Sequence, residues 1–279
     1  MKNPMLIVAV VLAALVAAIG YVNWQRSHQP AALHPSASAA VTAEQSQPVA
    51  GPASVPASSP ASAPQLVLPQ RSAANLPRLD QSDGAFGQAL AGLIGHKAFA
   101  QWLIPHRLIL HIVATIDNLP RRQAPVKAWP VSPVPGALRT SGTGADLAIS
   151  PDNAQRYAPY LQVLQQVGPQ ALVEVYLEFY PLFQQAYTEL GYPHGDFNSR
   201  LLVVIDNLLA APEPKPPVLL AQPKVLYQYA DPRLESASAG QKIMMRLGPA
   251  GEADVKAKLH AIRRALLAKM QPGASSPAG

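Results

Sequence analysis

Ile116-Asp117-Asn118-Leu119 closes one apolar run of the chain, and Ile205-Asp206-Asn207-Leu208 closes a second one. Each run carries apolar residues at helical spacing and therefore predicts a helix that packs inward. We expect these helices over His106–Leu119 and Phe197–Leu209. A Pro-His pair stands upstream of each aspartate, which favours two related helical halves at about 82–120 and 170–211. Chance similarity in a chain rich in Ala, Leu and Val remains the alternative.

The segments around the two runs predict a mainly α, compact helical domain over residues 74–270. Ser82 or Asp80 can cap a helix that runs through Ile94, and Pro105 should end a short second helix. Further helices are expected over Pro151–Gly168, Pro169–Leu190, Pro232–Leu247 and Pro249–Met270. Pro181 should kink or divide the second of these.

Two short β elements interrupt the helical pattern. Leu138–Ser141 and Asp146–Ile149 flank a Gly-Thr-Gly turn and predict a small β-hairpin. Lys224–Tyr229, which follows a proline-rich excursion, predicts a short edge strand.

The N-terminus predicts a membrane anchor. Met5–Val22 contains no charged residue and as a helix would span about 27 Å, close to the thickness of a bilayer core. We interpret it as one transmembrane helix, an uncleaved signal anchor, with residues 1–4 in the cytoplasm. A cleaved signal peptide is the alternative, since Ala18-Ile19-Gly20 is an imperfect cleavage site. The weak positive charge before the span favours a C-terminal domain outside the cytoplasm.

Residues 23–73 predict a disordered Ala/Pro/Ser-rich linker, and residues 271–279 a disordered tail. Many of the 30 prolines lie in this front segment, which offers too little apolar surface to form a core. Extended as polyproline II, the linker would reach about 140 Å. A tether of that length holds a domain away from the membrane.

Composition excludes several classes of protein. The chain has no cysteine, which rules out disulfides and thiolate metal sites. Its net charge is +6, but no basic block with interleaved aromatic residues is present, so nucleic acid is not an expected partner. The nucleophile elbow, the phosphate-binding loop, the dinucleotide fingerprint and the zinc-binding His-Glu-x-x-His motif are absent from the sequence. We therefore predict no catalytic residue, metal site or cofactor.

Five separated phrases, in order between Leu76 and Lys269, together resemble one bacterial family. The phrases are Leu76-Pro77-Arg78-Leu79-Asp80-Gln81-Ser82-Asp83, Val113-Ala114-Thr115-Ile116-Asp117-Asn118-Leu119-Pro120-Arg121, Asn153-Ala154-Gln155-Arg156-Tyr157, Pro181-Leu182-Phe183-Gln184-Gln185-Ala186-Tyr187-Thr188-Glu189-Leu190-Gly191-Tyr192-Pro193 and Gly240-Gln241-Lys242-Ile243-Met244-Met245-Arg246-Leu247-Gly248. The family is catalogued as domain of unknown function 3014. The resemblance implies a membrane segment, a variable linker and one shared domain, but it carries over no catalytic or ligand residue. The sequence departs from the family pattern at Ala154, where the resemblance implies a bulkier side chain.

One set of polar residues is the candidate functional or structural cluster: Asp117, Asn118, Asp206, Asn207, His111, Arg156 and Arg246. Each aspartate lies near a helix C-terminus, where the helix dipole disfavours negative charge, so a nearby cation should compensate. The candidate cations are Arg78, Arg121, Arg156, Arg200 and Arg246. The preferred interpretation is structural ion pairs, and the alternative is two carboxylates that converge for acid–base work.

A stripe of aromatic residues on the long helix is a candidate surface. Tyr176, Tyr180 and Tyr187 recur with Phe183 at helical spacing. The stripe could bind a glycan or a peptide, but core packing with outward hydroxyl groups is the preferred interpretation.

The sequence thus predicts a single-pass protein of the bacterial inner membrane with its C-terminal domain in the periplasm. We expect an interaction or scaffold domain, rather than an enzyme, whose partner is an envelope protein or peptidoglycan. The alternatives are an envelope hydrolase that uses Asp117 and Asp206, and a peptidoglycan- or glycan-binding module. The oligomeric state is not predicted.

Overall fold

An apolar helix, α3, lies at the centre of the fold and spans Leu108–Asn118. The computed structural model describes residues 66–67, 75–125 and 129–272. Ile112, Val113 and Ile116 of α3 are buried, as are most of their helical neighbours. Helix α3 packs against α1 (Asp83–Ile94), α5 (Pro169–Glu189) and α6 (Phe197–Leu209). A helix that is apolar around most of its circumference is stable only in such an interior position.

The other helices surround this centre. They are α2 (His96–Trp102), α4 (Ala158–Gln166), α7 (Pro232–Glu235), α8 (Ala239–Arg246) and α9 (Gly248–Leu267), with 3₁₀ turns at Leu79–Gln81, Gly144–Asp146 and Pro151–Tyr157. Helix α9 crosses α4, α5, α6 and α8 and buries Val255, Leu259, Ile262 and Leu266 against them. The part of the chain that the structure describes is therefore a compact, mainly helical domain.

Aromatic side chains fill the space between α1, α5 and α6. Phe86 contacts Phe179 and Phe183 edge to face, with ring centroids 5.1 and 5.5 Å apart. Phe183 in turn stacks on Phe197 at 5.7 Å. These pairs tie the first helix of the domain to its longest helix and to α6.

The helix starts follow from local polar residues. Ser150 accepts a hydrogen bond from the amide of Asp152, and Asp196 accepts one from the amide of Ser199 at 2.7 Å, so both act as N-caps. Ser82 stands at the N-cap of α1 as predicted, but its hydroxyl donates to the carbonyl of Leu79 and does not cap the helix.

Helix α3 is capped from another helix. Both carboxylate oxygens of Asp83 accept backbone hydrogen bonds, one from Arg107 at 2.7 Å and one from Leu108 at 2.8 Å. Since the N-terminus of a helix carries unsatisfied amides and partial positive charge, this contact fixes the start of α3 on the first turn of α1.

The strands form two-residue antiparallel pairs. The predicted β-hairpin is confirmed: β2 (Thr140–Ser141) pairs with β3 (Ala148–Ile149), and Gly142 turns the chain with a φ of +73°. The predicted edge strand is confirmed only at its end, where β5 (Gln228–Tyr229) pairs with β4 (Leu220–Ala221), because residues 223–226 form a bend.

A third pair joins the two ends of the domain. Strand β1 (Leu66–Val67) pairs with β6 (Gln271–Pro272). Two residues of the predicted linker and two of the predicted tail are therefore part of the ordered structure.

Two helices depart from the sequence expectation in how they are divided. Helix α5 is not divided at Pro181, whose neighbours Phe179, Leu182 and Phe183 are all buried. The single helix expected over Pro232–Leu247 is instead divided into α7 and α8. Ser238 breaks it by starting α8 with a capping box.

No helix among the described residues is both long and apolar enough to cross a membrane. The predicted transmembrane helix at 5–22, most of the predicted linker and the end of the tail lie outside the residues that the structure describes.

Candidate functional site

Asp117 is buried in a cluster of two arginines and a tyrosine. Its side chain is 5% exposed, and its Oδ1 accepts a hydrogen bond from Arg200 Nε at 2.9 Å. Its Oδ2 accepts hydrogen bonds from an Arg121 terminal nitrogen at 2.7 Å and from the Tyr192 hydroxyl at 3.2 Å. Arg200 also donates to the backbone carbonyl of Asp117 at 2.6 Å. The neighbouring carboxylate raises the pKa of Arg121.

The second aspartate has a different environment. Asp206 is half exposed and forms a two-point ion pair with Arg263 of α9, at 2.7 and 3.2 Å. The asparagines differ as well: Asn118 donates to the carbonyl of Ala114 within its own helix, whereas Asn207 accepts a hydrogen bond from the Ser238 hydroxyl of the α8 cap.

The two Ile-Asp-Asn-Leu copies therefore occupy non-equivalent positions. Asp117 faces Arg121 and Arg200, and Asp206 faces Arg263, so the two carboxylates share no partner. The arrangement matches the structural ion-pair interpretation. Arg121 and Arg200 were among the arginines considered from sequence, whereas Arg263 and Tyr192 were not, because nothing in a sequence indicates which surface a distant side chain reaches.

His111 lies apart from the aspartate cluster. It is half-buried on α3, and its ring centroid is 6.5 Å from that of His106. Burial lowers its pKa, and the charge of Arg107 lowers it further. Within the described part of the chain, no group of three His, Asp or Glu side chains could hold a metal ion.

Arg156 and Arg246 meet at a second polar centre, around the buried Asn153. The amide oxygen of Asn153 accepts from Arg156 at 3.1 Å, and its amide nitrogen donates to the carbonyl of Arg246 at 3.0 Å. Arg156 also donates to the carbonyls of Pro135 and Gly136. Burial lowers the pKa of Arg156. The candidate polar cluster is thus not one site: it divides between the Asp117 ion pairs, the Asp206 ion pair, His111 and this centre.

The tyrosine stripe faces the core. Tyr176 and Tyr187 are each 6% exposed, and burial raises the pKa of both. Tyr187 stacks on Tyr192 with ring centroids 4.5 Å apart, and the hydroxyl of Tyr180 donates to Asp196 at 2.7 Å. The rings pack in the core as the preferred interpretation described, but the hydroxyl of Tyr176 is buried and does not point outward. The packing leaves no open aromatic platform on this stripe.

A groove that no sequence pattern indicated is lined in part by Asn153. It has a volume of about 780 Å³. Its lining comes from four separate parts of the chain: the hairpin end (Ser141 and Ile149), the 3₁₀ turn (Ser150, Pro151, Asn153 and Ala154), the proline-rich segment 213–218, and the α8–α9 junction with Glu252. The small side chain of Ala154 leaves this wall of the groove open.

The proline-rich wall of this groove is anchored at both ends. Lys256 of α9 donates to the carbonyl of Ala211 at 2.7 Å and pairs with the carboxylate of Glu213. At the other end, Val218 accepts a hydrogen bond from the amide of Ile149 at 3.0 Å, and Leu220 donates to Leu147 at 2.7 Å. Between these anchors, residues 215–217 are exposed.

A buried carboxylate closes one end of the groove. Glu252 is 2% exposed and lies 3.0 Å from the ammonium of Lys256. Burial raises the pKa of Glu252, although the hydrogen bond and the charge of Lys256 act against this increase. The groove thus combines apolar walls with a few buried charged groups, which is the usual composition of a ligand site.

A family model described as Protein of unknown function (DUF3014) matches residues 108–263. The chain belongs to this family. The match covers α3, the aspartate cluster and the whole groove lining. No curated protein and no solved structure matches the chain.

Proposed function

We propose that this member of the DUF3014 family is a membrane-anchored interaction or scaffold protein of the bacterial envelope. In this proposal, residues 5–22 span the inner membrane once, the part of the predicted linker that precedes β1 forms a flexible tether, and the helical domain works in the periplasm. The groove beside Asn153 binds an extended segment of a partner protein. The composition of the N-terminal residues supports the anchor and the tether.

The groove carries this proposal. Its volume of about 780 Å³ lies within the range of ordinary ligand sites. Because its proline-rich wall is anchored at both ends, binding should cost little conformational freedom. Ile149, Val218 and Met245 offer apolar contact, and the exposed Ser141 offers a hydroxyl group that can hydrogen-bond a bound backbone.

The two alternatives find less support in this geometry. A hydrolase would need a carboxylate open to substrate, and Asp117 is enclosed by two arginines and Tyr192. A glycan module that uses the tyrosine stripe would need exposed rings, and Tyr176 and Tyr187 are buried. Peptidoglycan bound elsewhere on the domain remains compatible with the tether.

Site-specific photo-crosslinking in living cells tests the proposal on the full-length chain. A photoreactive amino acid at Lys215, exposed on the groove wall, should give a discrete heavier adduct, and the same amino acid at Gln88, exposed on α1, should not. Ala154→Phe, which fills the groove, should remove the adduct at Lys215. An adduct that persists in Ala154→Phe, or equal adducts at both positions, would contradict the proposal.

A further inference from the structure

A second cleft, here called the basic cleft, shares Arg246 with the groove as a lining residue. It has a volume of about 430 Å³ and is lined by Arg122 and Gln123 after α3, by Gln228 of β5, and by Glu235, Lys242 and Arg246 of α7 and α8. Lys242 and Arg246 stand four residues apart on α8 and so share one face of that helix. The cleft therefore collects basic side chains from two distant parts of the chain.

The charges in the basic cleft do not balance. Among its described lining residues, three are cationic and one, Glu235, is a carboxylate. Glu235 is already committed: it binds the ammonium of Lys242 at 2.6 Å and accepts the amide of Tyr229 at 2.9 Å. The described lining of the basic cleft therefore carries more positive than negative charge.

The positive charge of Arg246 is held away from water. Arg246 is 5% exposed, and it hydrogen-bonds the phenol of Tyr229, which itself donates to the carbonyl of Lys242 at 3.0 Å. Burial raises the pKa of Tyr229 to about 12, so this partner stays protonated and brings no negative charge. Arg156 lies close enough for its charge and that of Arg246 to repel each other. A buried, oriented guanidinium in a low-dielectric site attracts an anion more strongly than an exposed one does.

We propose that the basic cleft is a binding site for an oxyanion, a carboxylate or a phosphate carried by a small molecule or a peptide. The exposed Arg122 supplies charge-assisted hydrogen bonds, and the buried charge of Arg246 adds to the attraction. The amides of the exposed Gln123 and Gln228 line the same space and supply further donors. The site is distinct from the peptide groove, although Arg246 lines both.

Calorimetric titration of the purified full-length chain in detergent at low ionic strength tests this inference. Inorganic phosphate serves as one probe and N-acetylalanine as the other, with N-acetylalanine amide as the uncharged match. At least one anion should bind saturably and the amide should not. The stronger of the two anions identifies the source of the oxyanion.

Two arginine variants distinguish binding at the basic cleft from non-specific attraction of anions to a positively charged protein. Arg122→Gln should weaken anion binding at least tenfold, because it removes a guanidinium from the cleft mouth. Arg233→Gln removes an exposed arginine that pairs with Asp231 outside the cleft, and it should leave the affinity unchanged. No saturable binding of either anion, binding of the amide, or equal weakening in both variants would overturn the inference.

Discussion

The sequence predicted that Asp117 needs a positively charged partner, but it did not predict all of the contacts of this residue. Its place near the end of α3 required a compensating cation, and Arg121 supplies one from four residues away on the same stretch. Arg200 comes from α6 and Tyr192 from the turn after α5, and these contacts follow only from the packing of α3 on α6. The sequence thus predicted the need for an arginine, with Arg121 and Arg200 among five candidates, but it did not predict that both would enclose Asp117 together with Tyr192.

Replacing Asp117 with Asn tests this enclosure. The substitution keeps the shape but leaves Arg200, whose side chain is 25% exposed, without its counter-charge. The loss of a buried partner costs about 3–5 kcal/mol in general, and the half-exposed Arg121 reduces this, so we expect about 2–3 kcal/mol less free energy of unfolding. Urea unfolding of the full-length chain, followed by circular dichroism, measures it.

Asp206→Asn is the matched control. Its ion pair with Arg263 is solvent-exposed and should contribute less than about 1 kcal/mol. Equal losses in the two variants would mean that Asp117 is not specially enclosed.

The buried Glu252 predicts that the stability of the domain depends on pH. Its pKa is raised by burial above its ordinary value of 4.5, with Lys256 acting against the increase and Glu213 adding to it. A carboxyl group that holds its proton more tightly when folded stabilises the fold below its unfolded pKa, and this contribution is lost as the pH rises through its folded pKa.

Glu252→Gln should therefore become more stable, relative to the original protein, as the pH rises. The variant carries no ionisable group at this position, so its free energy of unfolding relative to the original protein should increase as the pH rises upward from 4.5. Urea unfolding at several pH values measures the difference. A difference that is constant or that shrinks with rising pH would contradict the raised pKa.

At the scale of the helices and strands, several predicted helix starts were correct, although the expected cap at Ser82 does not form. Asp196 and Ser150 begin helices where their side chains can cap an amide, and the hairpin turns at Gly142. The two differences have different causes. The neighbours of Pro181 in α5 are buried, which is a tertiary effect, and the helix continues through the proline. Ser238 starts a new helix with a local capping box that was not recognised in the sequence, and its hydroxyl also donates to Asn207 of α6.

The contact between the start of α8 and the end of α3 is so close that a single substitution can test it. The amides of Ala239 and Gly240 donate to the carbonyls of Arg121 and Leu119, at 2.7 and 2.9 Å, so the start of one helix satisfies the end of the other. A Cβ atom on Gly240 would lie 2.6 Å from a Leu208 methyl and 3.2 Å from the Leu119 carbonyl oxygen.

Gly240→Ala should therefore destabilise the protein by about 1–3 kcal/mol through overpacking. Gly84→Ala is the matched control, because a Cβ there meets nothing within 4 Å and the change should stabilise α1 by up to about 1 kcal/mol. Urea unfolding compares the two, and a neutral Gly240→Ala would show that α8 can move away from α3.

At the scale of the whole molecule, the two proposed binding sites were beyond prediction from sequence. The groove draws on four separate segments and the basic cleft on three, and none of these carries a motif. Arg246 was selected as a candidate only as a partner for an aspartate. Its position between the two spaces depends on the packing of α8 against the hairpin and the proline-rich segment, which no local pattern records.

The predicted anchor and topology can be tested directly on the full-length chain. If Met5–Val22 is an uncleaved transmembrane helix, the protein should resist carbonate extraction from membranes, and its mass should include residues 1–22. Alkaline phosphatase fused after Gly279 should be active, since that enzyme needs the oxidising periplasm to form its disulfides. Deleting residues 2–22 should make the protein extractable and the fusion inactive. A mature protein that begins near Tyr21 would instead establish a cleaved signal peptide, and an inactive fusion on the intact chain would place the helical domain in the cytoplasm and contradict the envelope function proposed for the groove.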